Sequence, residues 1–351
     1  MTGVSLCAAS RRLLYLGVFV AHRIGLIGGD GIGPEVVEEA MKVVRATGIE
    51  VQETNYELGA AHYLKTGEVL SQEVLKDLSS QDAILLGAVG PAIGSNEVTP
   101  GLLERGLLLK LRFELDLYIN LRPFSRLPDV DIAVVRENTE GPYVGEGGVL
   151  RKGTPYEIAT QGSVNTRFGV ERCIRFAFEL ANKRDKKHLT LVHKTNVLSF
   201  SGDLWQRTFN EVKDEFPNVS TGYQHVDAAC IYLVEKPQNY DVIVTDNLFG
   251  DILTDLAGAL TGGIGLAASA NLNPTGSGPS LFEPVHGAAH DIVGTGAANP
   301  LAAIISAEMM LEFLKEDFAA ERVKKAVKEV ISSGFVGLST SEIGDAVAER
   351  V

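Results

Sequence analysis

The alternation of strands and helices over the first hundred residues constrains this chain more than any other feature. Residues 23–28, RIGLIG, read as a buried strand that runs into the glycine-rich loop GGDGIGP. Pro34 then suits the first turn of a helix, where a missing N–H costs nothing because helix starts leave those donors unpaired anyway. Residues 51–56 and 83–86 read as further strands, with a helix over about 71–78 between them. Strand–helix–strand units of this kind call for a parallel pairing, so a largely parallel α/β sheet is expected. From Tyr118 the pattern changes. Residues 118–122 and 131–136 read as close strands, 137–153 is glycine-rich without helical period, and 156–160 reads as another strand. A protruding β-rich arm over about 137–160 is expected there. Helices over 164–183 and 202–216, strands over 189–193, 219–224 and 241–245, and a mostly helical stretch from 299 follow.

A chain of 351 residues carries a prior of two domains. No linker of low complexity separates them, so the domains are expected to be discontinuous: 23–117 with 262–351 on the cofactor side, and 118–261 on the side of substrate, metal and dimer contact. The net charge of −13 argues against a nucleic-acid partner, which needs an extended basic surface. Cys7, Cys173 and Cys230 form no CxxC pair and suit a reducing, cytoplasmic compartment without a disulfide framework. Arg11 and Arg12 precede the apolar stretch 13–21, LLYLGVFVA, which is too short to span a bilayer. Residues 1–22 read as a disordered extension or a misassigned start in preference to a targeting signal. No other segment reads as membrane-spanning.

Five constellations could carry chemistry. The loop at residues 28–34 fails the dinucleotide fingerprint, because its glycines do not fall at offsets of two and then three. It is either a tight turn or a ligand contact. Asp251 and Asp255 in NLFGDILTD stand four apart, on one helical face. Like charges so placed suit a shared hard cation, or else a solvated face. Asp246 adds a carboxylate close by. Arg112, Arg122 and Arg136 stand at element ends and could converge as a carboxylate clamp, or make separate ion pairs. Tyr143 and Lys194 form an acid–base candidate, with a loop Tyr and a surface Lys as the plainer reading. Residues 282–300, FEPVHGAAHDIVGTGAANP, hold small residues that let a backbone approach a flat ligand, and Asp291 could accept from ribose hydroxyls.

Taken in order, GGDGIGPE, LLKLR, NLRP, RENTEGPY, HKTNVL, NLFGDILTD and FEPVHG resemble the β-decarboxylating dehydrogenases, the family of isocitrate, isopropylmalate and tartrate dehydrogenases. The resemblance runs from about residue 23 to the C-terminus. It implies a two-domain fold with a mixed, largely parallel sheet and a protruding β arm. It implies a clamp of Arg112, Arg122 and Arg136 on the two carboxylates of a malate-like substrate, and Mg²⁺ or Mn²⁺ held by Asp227, Asp251 and Asp255. Lys194 would help remove the hydroxyl proton and Tyr143 would protonate the enolate left by loss of CO₂. Asp227, Asn196 and Val197 would also meet substrate. Lys194 and Asp227 would come from a second subunit, which makes a homodimer a catalytic requirement.

The stretch 103–112, LERGLLLKLR, looks like the isopropyl-recognising form. Gly106 and Leu108 stand where isocitrate-specific relatives place Ser and Asn, and Leu107 and Leu108 beside Glu104 suit a branched alkyl group. The implied reaction is NAD-dependent oxidative decarboxylation of (2R,3S)-3-isopropylmalate in leucine biosynthesis. The implied cofactor site is Ile32, Glu283, His286, Gly287, Ala288, Ala289, Asp291, Ile292, Ala298 and Asn299. NAD is expected because Asp291 and Ile292 stand where NADP-dependent relatives carry Lys and Tyr. Ala288 and His290 depart from the Ser and Pro common there. Isocitrate or tartrate as substrate, a regulatory subunit without catalysis, and an arm that merely scaffolds a partner remain as alternatives.

Overall fold

The computed structural model describes residues 21–125 and 130–351. The expected N-terminal extension lies, as far as residue 20, outside the described residues. In chain order the main elements are β1 (His22–Gly29), α1 (Gly33–Ala46), β2 (Val51–Asn55), α2 (Ala60–Thr66), α3 (Gln72–Leu78), β3 (Ala83–Ala88), α4 (Lys110–Glu114), β4 (Ile119–Phe124), β5 (Ile132–Glu137), β6 (Gly147–Leu150), β7 (Ile158–Gln161) and α5 (Arg167–Lys183). They continue as β8 (His188–His193), α6 (Ser199–Lys213), β9 (Ser220–His225), α7 (Val226–Glu235), β10 (Val242–Thr245), α8 (Asn247–Leu260), β11 (Ala268–Leu272), β12 (Ser280–Pro284), α9 (Leu301–Phe313), α10 (Asp317–Ser333) and α11 (Thr340–Ala348).

Ten strands form one sheet in the order β2-β1-β3-β12-β11-β4-β5-β10-β8-β9. Its flanks are parallel, β2-β1-β3-β12 on one side and β5-β10-β8-β9 on the other. The middle, from β12 through β11 and β4 to β5, is antiparallel. The sheet is thus mixed and largely parallel, as expected. The near-continuous apolar runs of β3 and β10 are buried throughout, which is how a parallel strand covered on both faces reads. One core runs along the sheet under α1, α5 and α9. α9 is buried nearly all round, which explains why its sequence shows no amphipathic period. Among the described residues β6 and β7 pair only with each other, in an antiparallel ribbon exposed along its length. No described helix is long and apolar enough to cross a membrane.

Boundaries differ from expectation where caps decide them. Ser71 and Thr166 are N-caps, accepting from the Val74 and Gly169 N–H groups, so α3 and α5 begin one residue after each. The expected helix ahead of Arg112 is π-helical over Glu104–Leu109 before it tightens into α4. α2, α7, β11 and β12 were not anticipated. β11 carries Ser269 and Asn271 among its five residues, with Asn273 just beyond, and so short a strand with that many polar side chains does not read as one.

Candidate active site

The register of the antiparallel middle builds the site. Asn120 and Arg122 are two apart on β4 and share a face, as do Ser269 and Asn271 on β11. Asn271 lies opposite Asn120, Asn120 opposite Arg136, and Ser269 opposite Glu283. The side chains close into a polar network in the middle of the sheet. Asn120 Nδ2 donates to Ser269 Oγ at 2.8 Å and to Asn271 Oδ1 at 3.0 Å, and Asn271 Nδ2 donates to Glu283 Oε1 at 2.7 Å.

Arg136 is 1% exposed and Arg122 6%. Burying a guanidinium is costly unless its donors are satisfied. Arg136 Nε donates to Asn247 Oδ1 at 2.9 Å, its fork pairs with Asp251, and it lies 5.2 Å from the centre of the Tyr143 ring. Arg122 donates to Asn120 Oδ1 at 2.9 Å and Thr254 Oγ1 at 2.7 Å, with Asp251 and Asp255 each at 3.6 Å. Arg112 Nη2 lies 3.3 Å from Glu283 Oε1. Burial, then the charge of Arg136, lowers the Arg122 guanidinium to about 10, so it stays a cation at neutral pH. The three arginines are therefore one connected group with the acidic residues, not separate surface pairs.

Helix α8 aims the carboxylates. Asp246 caps it, accepting from the Phe249 N–H at 2.8 Å. It thus stands close to the helix that carries Asp251 and Asp255, as the sequence suggests, with one oxygen committed to the cap and the other 3.3 Å from the buried His193 ring. One and two turns on, Asp251 and Asp255 leave 40% and 65% of their side chains exposed. Burial would raise the Asp251 carboxyl, but Arg136, the Tyr143 hydroxyl and Arg122 outweigh it and hold it low. Burial, with Asp251 adding to it, pushes Asp255 upward against the pull of Arg122. Gly250 belongs to this geometry, because a Cβ there would stand 2.5 Å from Arg136 Cγ.

Tyr143 arrives through the loop after β5. Buried Glu137 accepts from Thr139 N at 2.9 Å, Thr139 Oγ1 at 2.8 Å and Glu140 N at 2.7 Å, which turns the chain back over the sheet end. Burial raises that carboxyl to about 7. Tyr143 then donates to Asp251 Oδ2 at 2.9 Å. Burial, then the charge of Asp251, raises its phenol against the opposing Arg136.

A cavity of about 190 Å³ adjoins the arginines, lined by Leu108, Arg112, Arg122, Ser269 and Glu283, and on its other side by residues 86–89 and 284–287. Of the expected alkyl-recognising pair only Leu108 lines it. Leu107 is buried against Leu111 in the core, and Glu104 is exposed. His286 lines the cavity, and its Nε2 is buried without a hydrogen-bond partner among the described residues. Its Nδ1 lies 3.1 Å from the Gly287 carbonyl, and burial lowers its pKa, so the ring is neutral with Nε2 as an acceptor.

The glycine loop after β1 lies under this wall. A Cβ on Gly29 would stand 2.0 Å from the Ala88 carbonyl oxygen, and one on Gly31 would stand 1.8 Å from that of Ala288. These glycines let three backbone segments lace together. Ile32 reaches the loop after β12 through its N–H, which donates to Ala288 O at 2.8 Å. Farther along that loop Asp291 is exposed, Ile292 packs partly against the core, Ala298 is buried, and Asn299 Oδ1 accepts from Leu301 N at 3.0 Å.

A second group stands apart. Lys194 Nζ is 2.7 Å from Asp227, whose carboxyl it holds below the usual range, with Asn196 and Val197 exposed on the turn beyond. Among the described residues no hydrogen bond or ion pair joins Lys194 or Asp227 to Tyr143, Asp251 or Asp255, and no three acidic, His or Cys side chains group as a metal site. Asn120, Thr254 and Asn271 were missed as members of the site. A signal was present for Asn120, a polar residue inside an expected buried strand, but not for Asn271, because β11 does not itself read as a strand.

The isocitrate/isopropylmalate dehydrogenase family model matches residues 23–349. A 3-isopropylmalate dehydrogenase of Corynebacterium aurimucosum is 56% identical over 93% of this chain and 98% of its own length. That of Nocardia farcinica is 54% identical over 94% and 100%. A crystal structure of isocitrate dehydrogenase from Methylococcus capsulatus superposes with a TM-score of 0.85 at 38% identity, covering 94% of this chain and 99% of that one. With the family model matched over nearly all of the described residues, and these relatives covered almost end to end, the chain belongs to the isocitrate/isopropylmalate dehydrogenase family of enzymes.

Proposed function

We propose that this chain is an NAD-dependent dehydrogenase that oxidises and decarboxylates 3-isopropylmalate to 4-methyl-2-oxopentanoate and CO₂, in leucine biosynthesis in the cytoplasm. The observation that carries the substrate is the cavity in which Leu108 sits beside Arg112 and Arg122. A guanidinium pair suits carboxylates, and an apolar wall favours a branched alkyl group while leaving a further charge unpaired. The relatives named above as 3-isopropylmalate dehydrogenases support the same choice.

Charge supports a metal. Three guanidinium groups face Asp251, Asp255 and Glu283, which is neutral in sum. A divalent cation would bring the site to plus two, the match for a dicarboxylate dianion. Asp251 and Asp255 fit Mg²⁺ or Mn²⁺ as exposed oxygen donors of like charge, with Asp227 of a second copy as the third. The unpartnered Nε2 of His286 and the open face at Gly287 fit NAD along the Glu283–Asn299 loop. When bound, the cation would supply Lewis-acid polarisation of the substrate oxygen, and NAD would supply the hydride acceptor. The arginines orient the two carboxylates, Lys194 of the second copy takes the hydroxyl proton, and Tyr143 delivers its phenolic proton to the carbon that loses CO₂.

The division into lobes of 23–117 with 262–351 and of 118–261 is part of this reading. So is a homodimer, supported by apolar side chains exposed side by side on neighbouring helices, Ile231 and Val234 on α7 and Leu248 and Ile252 on α8. The test is a steady-state panel of 3-isopropylmalate, isocitrate and tartrate, each with NAD and with NADP. The highest kcat/KM is expected for 3-isopropylmalate with NAD; a higher value for either other acid overturns the assignment.

A further inference from the structure

We propose that His290 is a positioning residue for the cofactor, its ring tying the cofactor loop to the end of β3 so that the dinucleotide meets a loop already in shape. The proposal rests on the NAD reading above. His290 Nε2 lies 2.8 Å from the Gly90 carbonyl oxygen. A carbonyl only accepts, so Nε2 carries the proton. The tie does not end there. The Gly90 N–H donates at 3.0 Å to Asp30, a buried carboxylate that also accepts from Ala60 N at 2.8 Å and Ala61 N at 3.2 Å. The glycine loop, the start of α2, the end of β3 and the cofactor loop thus meet in one hydrogen-bonded chain.

The loop needs such a hold. Ala289 sits at φ 39°, a left-handed conformation that costs a side-chain-bearing residue energy and persists only where the surroundings enforce it. Two further ties flank it: Ile32 N to Ala288 O at 2.8 Å before, and Gly294 N to Glu35 Oε1 at 2.7 Å after. Between them, among the described residues, the His290 ring makes the one side-chain hydrogen bond to another segment, beside the partial packing of Ala289 and Ile292 against the core. The pinned stretch joins His286 and Gly287, which line the cavity, to the exposed Asp291. Freeing it leaves the arginines, Tyr143 and the aspartates untouched. The ordering that the ring performs in advance would then fall on cofactor binding.

The test compares His290→Ala, His290→Gln and the wild type in two readouts: NADH affinity by fluorescence titration without substrate, and steady-state kinetics with 3-isopropylmalate. For His290→Ala we expect NADH Kd and the KM for NAD to rise about three- to tenfold, the worth of one hydrogen bond. kcat and the KM for 3-isopropylmalate should stay within about twofold. His290→Gln, whose amide N–H reaches a position like that of Nε2, should recover most of the affinity. Unchanged NADH affinity in His290→Ala overturns the proposal, as does a uniform loss that glutamine does not restore. Should the alanine variant not fold, His290→Asn replaces it, being too short to reach; equal affinity in the Gln and Asn variants overturns the proposal. A wild-type chain that neither binds NADH nor reduces NAD removes the functional reading and the proposal with it. An active wild type with an indifferent His290 removes only the proposal.

Discussion

At the scale of single residues, the site depends on charged groups held where water would otherwise screen them. Tyr143 is the clearest case. Its phenol is kept protonated at neutral pH and points at Asp251, with Arg136 over its ring. Tyr143→Phe keeps the ring and the cation contact and removes only the proton. If that proton is the one delivered to carbon, kcat should fall by about 10²-fold or more while the KM for 3-isopropylmalate moves little. Steady-state kinetics on the purified variant checks this, and intact turnover would reduce Tyr143 to a scaffold of the loop. The residues that suggested the site from sequence were those with strong local signals: three arginines near element ends and two aspartates at helical spacing. What stayed illegible was their support. Arg122 needs Thr254, 132 positions away, and Arg136 needs Asn247, 111 away. Nothing local in a sequence announces such partners. Leu107 illustrates the opposite error, since the π-helical turn swings it into the core and leaves Leu108 alone on the cavity.

At the scale of elements, helix α8 does most to set the geometry, and its start is fixed by one side chain. Asp246→Ala removes the cap on Phe249 N and the carboxylate beside the buried His193 ring. A lost N-cap costs about 1 kcal/mol, within a range of roughly 0.5–2. We expect a lower thermal midpoint together with weaker binding of Mn²⁺, because the same helix carries Asp251 and Asp255. Asp246→Asn, which can still cap, should stay close to wild type in the midpoint. Calorimetric unfolding and metal titration provide the check; an unchanged midpoint in the alanine variant would mean that water caps the helix equally well. The cap could have been found in the sequence, since an Asp between a short apolar strand and an amphipathic run is an ordinary helix start. It was masked by its proximity to the two aspartates that suggested a metal. The strands β11 and β12 were hidden for another reason. Their side chains serve the polar network in the sheet, so the apolar pattern that marks a strand is broken where the site is built.

At the scale of the whole molecule, the groups expected to act together stand in two places. Tyr143, Asp251, Asp255 and the arginines form one cluster, while Lys194 and Asp227 pair with each other elsewhere, on a part of the chain with exposed apolar side chains close by. On the roles proposed above for Lys194 and Asp227, a single copy would have an incomplete site. Two copies joined along α7 and α8, with the ribbon β6–β7 reaching across, would bring the second group of each to the first group of the other. The arrangement predicts linkage between assembly and metal affinity, because a cation that draws ligands from both copies binds the dimer and not its halves. Diluting the enzyme through its dimer dissociation range should lower specific activity and Mn²⁺ affinity together. Raising the metal concentration should restore the dimer at the same protein concentration. Sedimentation velocity beside Mn²⁺ electron-spin-resonance titration measures both sides of the linkage. A dilute monomer with full activity and unchanged metal affinity would mean that one chain completes the site alone. The separation of Lys194 and Asp227 from Asp251 and Asp255 would then have to close by a motion within that chain.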